Sequence, residues 1–225
     1  SGSAPLGPET FAAFRELAGQ PILERYGMTE TGMLAGNPLR GERIPGTVGR
    51  ALPGVELRVA DEAGQPVGAG GEGEVEVRGP NVFGGYWRAP EKSAESFRVD
   101  ADGGRWFRTG DVGRIDPATG HLALLGRRSE LILSGGFNVY PREIEEVLLA
   151  VPGVREAAVV GEPHAEFGQS PVAFLVAERT IPEPELEAHC REQLAAFKRP
   201  RRWVFLDALP RNAMGKVEKR RLLGG

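Results

Sequence analysis

Four stretches of this 225-residue sequence gather polar side chains and glycines at spacings that packing alone does not demand. The first joins Ser1-Gly2-Ser3-Ala4-Pro5 to Arg25-Tyr26-Gly27-Met28-Thr29-Glu30-Thr31-Gly32. Its glycines let a ligand approach the backbone, Tyr26 offers a flat face to a base, Thr29 can hydrogen-bond a phosphate, and Glu30 supplies an oxygen for Mg²⁺. Taken singly, Tyr26 also reads as a half-buried surface aromatic and Glu30 as a solvated carboxylate. The second stretch, Trp106-Phe107-Arg108-Thr109-Gly110-Asp111, sets a carboxylate after a glycine at the end of an aromatic strand. Two carboxylate oxygens match the vicinal hydroxyls of a ribose; an aspartate in a turn is the competing reading. The third runs from Gly126 to Glu145 (GRRSELILSGGFNVYPREIE) and the fourth from Leu209 to Lys219 (LPRNAMGKVEK). In the fourth, Lys216 is either a mobile point charge for a phosphate or a solubilising residue.

These residues need elements to hold them. Phe11, Phe14 and Leu17 recur at helical spacing and predict a helix over 8–19 that Gly19 ends. From 46 to 126 the pattern changes to short alternating runs such as VELRV (55–59) and EVEVR (74–78), flanked by Gly, Pro or Asp. Alternation predicts strands with one wet face, here a compact β subdomain with turns at 61–64 and 116–120. Beyond Gly126 the signals mix: helices over 141–150 and 183–197, and strands over 157–161, 171–177 and 203–206. That alternation predicts a small α+β domain, with the boundary in 126–130.

Hydrophobic residues make up 40% and charged residues 26%, an ordinary globular composition. The net charge of −3 gives no overall case for a nucleic-acid or membrane-surface protein. The charge is uneven, since residues 197–225 hold nine cations against Asp207 and Glu218, or +7, leaving −10 for the rest. Neither an aromatic stacking set nor a recognition helix accompanies that basic end, so it is not a nucleic-acid tail. A lone Cys190 excludes a disulfide framework and a cysteine zinc site, and with no signal peptide visible it points to a reducing, cytoplasmic setting. No apolar run approaches the roughly 18 residues that span a bilayer. The chain begins at Ser1 without an initiator Met, which points to a fragment or a processed chain.

Read in order, YGMTE, GEGEVEVRGPNVFGGYW, WFRTGD, GRRSELILSGGFNVYPREIE and PRNAMGKVEK resemble the later core motifs of the acyl-adenylate-forming superfamily: acyl-CoA synthetases, peptide-synthetase adenylation domains and luciferases. SGGFNVYPREIE, PGVREAAVVGEPHAEFG and LPRNAMGKV are most similar to malonyl-CoA synthetases and nearby short-chain acyl-CoA ligases. The resemblance implies an α+β fold. Residues 1–127 would be the end of the large AMP-binding domain with a β-barrel-like subdomain, and 128–225 a mobile C-terminal domain. It implies that Tyr26 packs on adenine, Thr29 contacts phosphate, Glu30 holds Mg²⁺, and Ser3 and Ala4 line the acyl and adenine pocket beside Gly27. Asp111 would hold the ribose with help from Arg127, and Lys216 would be the adenylation lysine. Ser129 occupies the hinge position, where many relatives carry Asp or Lys. Gly135 and Gly136 would face the pantetheine tunnel of CoA, and Asn138 would lie near the phosphate. Arg25, beside the adenine motif, is a positional candidate to pair the second carboxylate of a substrate such as malonate, or else a surface ion-pair residue. The remaining cations of the basic end would form a field that draws anionic cofactors.

The implied reaction joins a small carboxylic acid to CoA at the expense of ATP, through acyl-AMP, with release of pyrophosphate and AMP. The superfamily's Gly/Ser/Thr-rich phosphate loop, which precedes the YGMTE motif, has no counterpart here, and neither does G-x-x-x-x-G-K-[ST]. The expected partner is therefore an N-terminal part of the same enzyme, and the chain alone is expected to adenylate poorly. Two alternatives stand beside this: a non-catalytic fragment or module, and a peptide-synthetase-type adenylation domain.

Overall fold

The structure, a computed structural model, describes residues 1–2 and 6–223. It divides into two compact units, Ser1–Arg128 and Ser129–Gly225.

The first unit begins with helix α1 (Pro8–Ala18), which ends at Gly19 with φ of 68° and its N–H bonded to the Arg15 carbonyl. Of the expected apolar stripe only Phe11 is buried; Phe14 is 41% and Leu17 89% exposed. Strands β1 (Arg25–Met28), β2 (Gly32–Gly36) and β3 (Arg50–Ala51) form one antiparallel sheet. A second contains β4 (Glu56–Ala60), β5 (Glu72–Arg78), β6 (Phe97–Val99), β7 (Arg105–Ile115) and β8 (Leu122–Arg127), in the order β4-β5-β7-β6 with β8 also on β7. A short helix α2 (Pro90–Glu95), not expected from the sequence, precedes β6. The core holds Tyr26, Leu34, Val59, Val75, Val77, Phe107 and Leu122.

Alternation in β5 predicts that Glu74 and Glu76 face water. They do not. Glu76 is fully buried and Glu74 is 4% exposed. Glu76 accepts from Arg58 Nε (2.8 Å) and Arg98 Nε (2.8 Å). Glu74 accepts from Arg108 Nη2 (2.8 Å) and Arg128 Nη1 (3.3 Å). Arg58 also pairs with Asp100 at 2.6 Å and, with Arg78, lies over the Trp106 ring. The polar face is covered by a layer of arginines, because a buried carboxylate persists only where donors satisfy it.

The second unit comprises β9 (Ile132–Ser134), β10 (Phe137–Val139), α3 (Pro141–Leu149), β11 (Val154–His164), β12 (Gly168–Ala177), α4 (Glu183–Gln193) and β13 (Arg202–Phe205). The sheet runs β10-β9-β12-β11, with β13 parallel to β12. Ala173 and Leu175 of β12 pack with Ile144, Leu148, Leu186 and Cys190 of α3 and α4. Val172, Phe174 and Val176, on the opposite face, pack with Leu209, Val217 and Leu222 of the chain end. Burial on both faces explains why β12 reads as a continuous apolar run. The helix expected to reach Phe197 stops at Gln193: Leu194 is extended (φ −122°, ψ 141°) and turns into the core, and a 3-10 turn follows at Ala196–Lys198.

Candidate functional site

In the first unit, β5 and β7 lose register between Glu76↔Arg108 and Glu74↔Val112, so β7 bulges at Thr109-Gly110-Asp111. Gly110 takes φ of 72°, a left-handed conformation that favours glycine. The bulge is tied down from within: Thr109 Oγ1 donates to the Val75 carbonyl (2.7 Å) and accepts from the Asp111 amide (3.1 Å). Asp111 is 7% exposed within β7, which excludes the turn-aspartate reading. Its carboxylate pairs with Arg127 Nε at 2.8 Å from the facing position of β8 and accepts from the Tyr26 hydroxyl. Tyr26 is 8% exposed and its ring joins the core, so it is no surface aromatic. Burial, and then the neighbouring Asp111 charge, push its phenol far above the ordinary tyrosine range.

Gly27 stands where β1 closes on β2; a Cβ there would lie 2.3 Å from the Gly32 carbonyl oxygen. Thr29 and Glu30 occupy the turn between those strands, Thr29 exposed and Glu30 half-buried. The Tyr86 hydroxyl donates to Glu30 Oε1 (3.0 Å), and the Phe83 amide donates to the Glu30 carbonyl (2.8 Å). Lys92 Nζ lies 3.9 Å from the centre of the Tyr86 ring. A cleft of about 530 Å³ is lined by Glu30, Tyr86, Lys92, Arg108, Gly110 and Arg127, among others. Tyr86 and Lys92 escaped the sequence reading, although Tyr86 sits in the GGYW run. Arg25 stands apart: it is exposed, with Nη1 3.0 Å from the Met33 sulfur. Ser3 and Ala4 lie outside the described residues.

The second unit holds the other candidates. Ser129 is exposed in a 3-10 turn, Arg128–Glu130. Gly135 (φ 58°) and Gly136 (φ 82°) form the two-residue loop between β9 and β10, a turn that calls for positive φ at both positions. The turn thus demands these glycines for its own geometry, whatever passes beside it. Asn138 is exposed on β10.

Lys216 sits on a closed loop. Asn212 Oδ1 accepts from the Lys216 amide (3.0 Å) and the Met214 amide (2.9 Å), while the Asn212 amide donates to the Lys216 carbonyl (2.9 Å). Arg211 donates to the Gly215 carbonyl at 2.7 Å and pairs with Glu156. The backbone at Lys216 is therefore fixed at both its amide and its carbonyl, while its side chain is exposed and makes no ion pair among the described residues. The basic end does not form the cationic field expected from the sequence. Lys198, Arg202, Arg211, Lys219 and Arg221 pair with acids of the same unit, and residues 129–225 carry 13 cations against 14 acids.

Residues 1–87 match the AMP-binding enzyme family, and residues 143–216 match the AMP-binding enzyme C-terminal domain. The chain belongs to the AMP-binding enzyme family. Among curated relatives it is 42% identical to a sulfoacetate–CoA ligase of Cupriavidus necator, covering 99% of this chain and 43% of that protein. It is 40% identical to a malonate–CoA ligase of Arabidopsis thaliana, covering 99% of this chain and 37% of that protein. The ATP-bound structure of MatB from Rhodopseudomonas palustris matches with a TM-score of 0.91 at 50% identity, over 99% of this chain and 44% of that one. The chain thus spans less than half the length of these relatives, and its fold is the mixed α+β fold of this family. No described helix is long and apolar enough to cross a membrane. Among the described residues no three His, Cys, Asp or Glu side chains cluster to hold a metal ion.

Proposed function

We propose that this chain is the later part of a cytoplasmic, ATP-dependent acyl-CoA ligase whose substrate is a short carboxylic acid bearing a second anionic group. The observation that carries this is the carboxylate of Asp111, oriented by Tyr26 and Arg127 at a strand bulge beside the cleft that holds Glu30. Such an orientation suits two adjacent ribose hydroxyls, so Asp111 would bind the nucleotide. Thr29, Gly27 and, upstream, Ser3 and Ala4 would surround its base and phosphate. The cleft carries the carboxylates of Glu30, Glu74 and Glu95, of which Glu74 is already paired with Arg108 and Arg128, and they form no cage among the described residues. That fits Mg²⁺, which keeps several waters and binds through one or two carboxylates plus substrate phosphates. When bound, the ion would offset phosphate charge.

The reaction would run in two balanced steps: the acid attacks the α-phosphorus of ATP to give acyl-AMP and pyrophosphate, and the thiol of CoA then displaces AMP to give the thioester. The first step brings two anions together, so a fixed cation must offset the charge that builds up. Lys216 would supply it, on a loop whose backbone is already ordered. Gly135, Gly136 and Asn138 would border the CoA path, and Ser129 would be the pivot between steps. Malonate and sulfoacetate, the acids named for two relatives, share a second anion on a short carbon chain. Arg25, next to Tyr26 in the sequence and exposed, would be the positional candidate to meet it.

The test joins this chain to its upstream half and measures ATP–pyrophosphate exchange with malonate, sulfoacetate and acetate. Exchange with a dianionic acid exceeding that with acetate is expected, as is loss of exchange in Lys216→Ala with thioester formation from supplied acyl-AMP largely spared. No acid-dependent exchange, or equal loss in both half-reactions, overturns the reading.

A further inference from the structure

Lys219 is a half-buried cation that the proposed chemistry leaves unused. Its side chain is 18% exposed, and Nζ lies 2.7 Å from Glu130 Oε2 and 2.7 Å from Glu145 Oε1. Glu145, in α3, also accepts from the Val159 amide at 2.8 Å, and Val159 is a fully buried residue of β11. Glu130 follows Ser129 directly. One ammonium thus ties together the start of the unit, its first helix, a core strand and the chain end. Burial alone would lower the Lys219 pKa, but the two carboxylates outweigh it and hold the ammonium above its usual range.

The tie is three residues from Lys216. The loop between them and Pro210 closes at its base through the Glu218 amide to the Pro210 carbonyl (2.8 Å) and an antiparallel bridge between Arg211 and Val217. Its first arm is anchored by buried Leu209 and by Arg211 on Glu156. Its second arm has partly buried Val217 and then Lys219. A methylene chain would fill the Lys219 site as well as a lysine does; a cation between two carboxylates adds a single defined geometry instead. The two lysines have opposite surroundings: Lys219 is neutralised by two carboxylates, whereas Lys216 is exposed.

We propose that Lys219 is a positioning residue that clamps the second arm of the Lys216 loop onto the segment beginning at Ser129–Glu130, so that Lys216 is presented in one place. The proposal rests on the adenylation role of Lys216 given above, and its test separates the two. In the chain itself, amide hydrogen exchange is measured for wild type, Lys219→Met, Lys219→Arg and Glu130→Gln. Lys219→Met is expected to speed exchange at the 212–218 amides at least tenfold while β11 and β12 are unchanged. Lys219→Arg should restore protection, and Glu130→Gln, which keeps the shape and one partner, should give a smaller rise in the same amides. In the enzyme joined to its upstream half, Lys219→Met should cut ATP–pyrophosphate exchange about tenfold or more, with less than a threefold effect on thioester formation from supplied acyl-AMP. Unchanged loop exchange, or acceleration spread over the whole unit, overturns the clamp; equal loss in both half-reactions does so too. If Lys219→Met does not fold, Glu130→Gln decides by the same exchange criterion. Intact adenylation in Lys216→Ala overturns the parent reading instead, and the exchange measurement still decides whether Lys219 holds the loop.

Discussion

Tyr26→Phe removes one oxygen from the centre of the first unit and has two calculable consequences. The hydroxyl donates to the carboxylate of Asp111, and both residues are buried. A hydrogen bond to a charged group contributes about 1.5–3 kcal/mol, so the variant should lose about 2 kcal/mol at pH 7. The second consequence is the sign of the pH dependence. The folded phenol titrates far above its unfolded value of roughly 10, so its contribution is complete below pH 10 and is lost as pH rises past it, because only the unfolded chain gives up the proton. The wild type should therefore lose about 1.4 kcal/mol by pH 11 from this group alone, and the gap to Tyr26→Phe should narrow from about 2 to about 0.6 kcal/mol. Tyr86 and Lys219, also shifted upward, titrate in both proteins and cancel in the difference. The assay is urea unfolding followed by Trp fluorescence between pH 7 and 11, with Trp106 as the buried reporter of this unit. A gap that stays constant from pH 8 to 11 refutes the shielded phenol, and no gap at pH 7 refutes the Tyr26–Asp111 bond as a stabilising contact.

Glu76→Gln keeps the shape of a fully buried side chain but removes the charge between Arg58 and Arg98; breaking such a pair costs about 3 kcal/mol, or roughly 6–12 °C in Tm for a chain of this size. Calorimetry should show this, with Glu56→Gln in the exposed Arg78 pair leaving Tm unchanged; equal shifts would refute the buried-layer argument. Cys190 is 1% exposed and burial pushes its thiol up to about 11, so about one thiol in a thousand is ionised at pH 8, against roughly a quarter for a free cysteine. Ellman's reagent should react within minutes only after urea unfolding, and rapid reaction in native buffer would refute the packing of α4.

Features that a local rule decides are legible in the sequence, and features made where distant residues meet are not. Gly19 ends α1 as expected because positive φ is a local property of two or three residues; the same rule makes Gly135-Gly136 a hairpin turn, although the sequence pointed there only to a ligand contact. The strands around Val75 and Val172 follow from period and apolar runs. Glu74 and Glu76 defeat that rule: alternation says only that they share a face, and the residues that cover it, Arg58, Arg98, Arg108 and Arg128, come from four separate segments. Tyr26 was legible as chemistry but not as core, since its hydroxyl is satisfied by Asp111, 85 positions away. Lys219 is hidden by the same distance: its carboxylates lie 74 and 89 positions earlier, where nothing local marks them as its partners.

The basic end gains a different meaning from this geometry. A field that steers anions needs net charge, but the second unit is nearly neutral, and five of the nine cations counted from 197 onward are paired with its own acids. Pairing serves to place the chain end: Lys198 binds Glu143 of α3, Arg202 binds Glu162 of β11, and Arg211 and Lys219 hold the two arms of one loop. A cation that must meet an anion in a transition state does better in a fixed backbone with an uncommitted head group than among many mobile charges, because the ordering cost is then met before the ligand arrives. Lys216 has that arrangement, and the surrounding charges act on it through the backbone they hold.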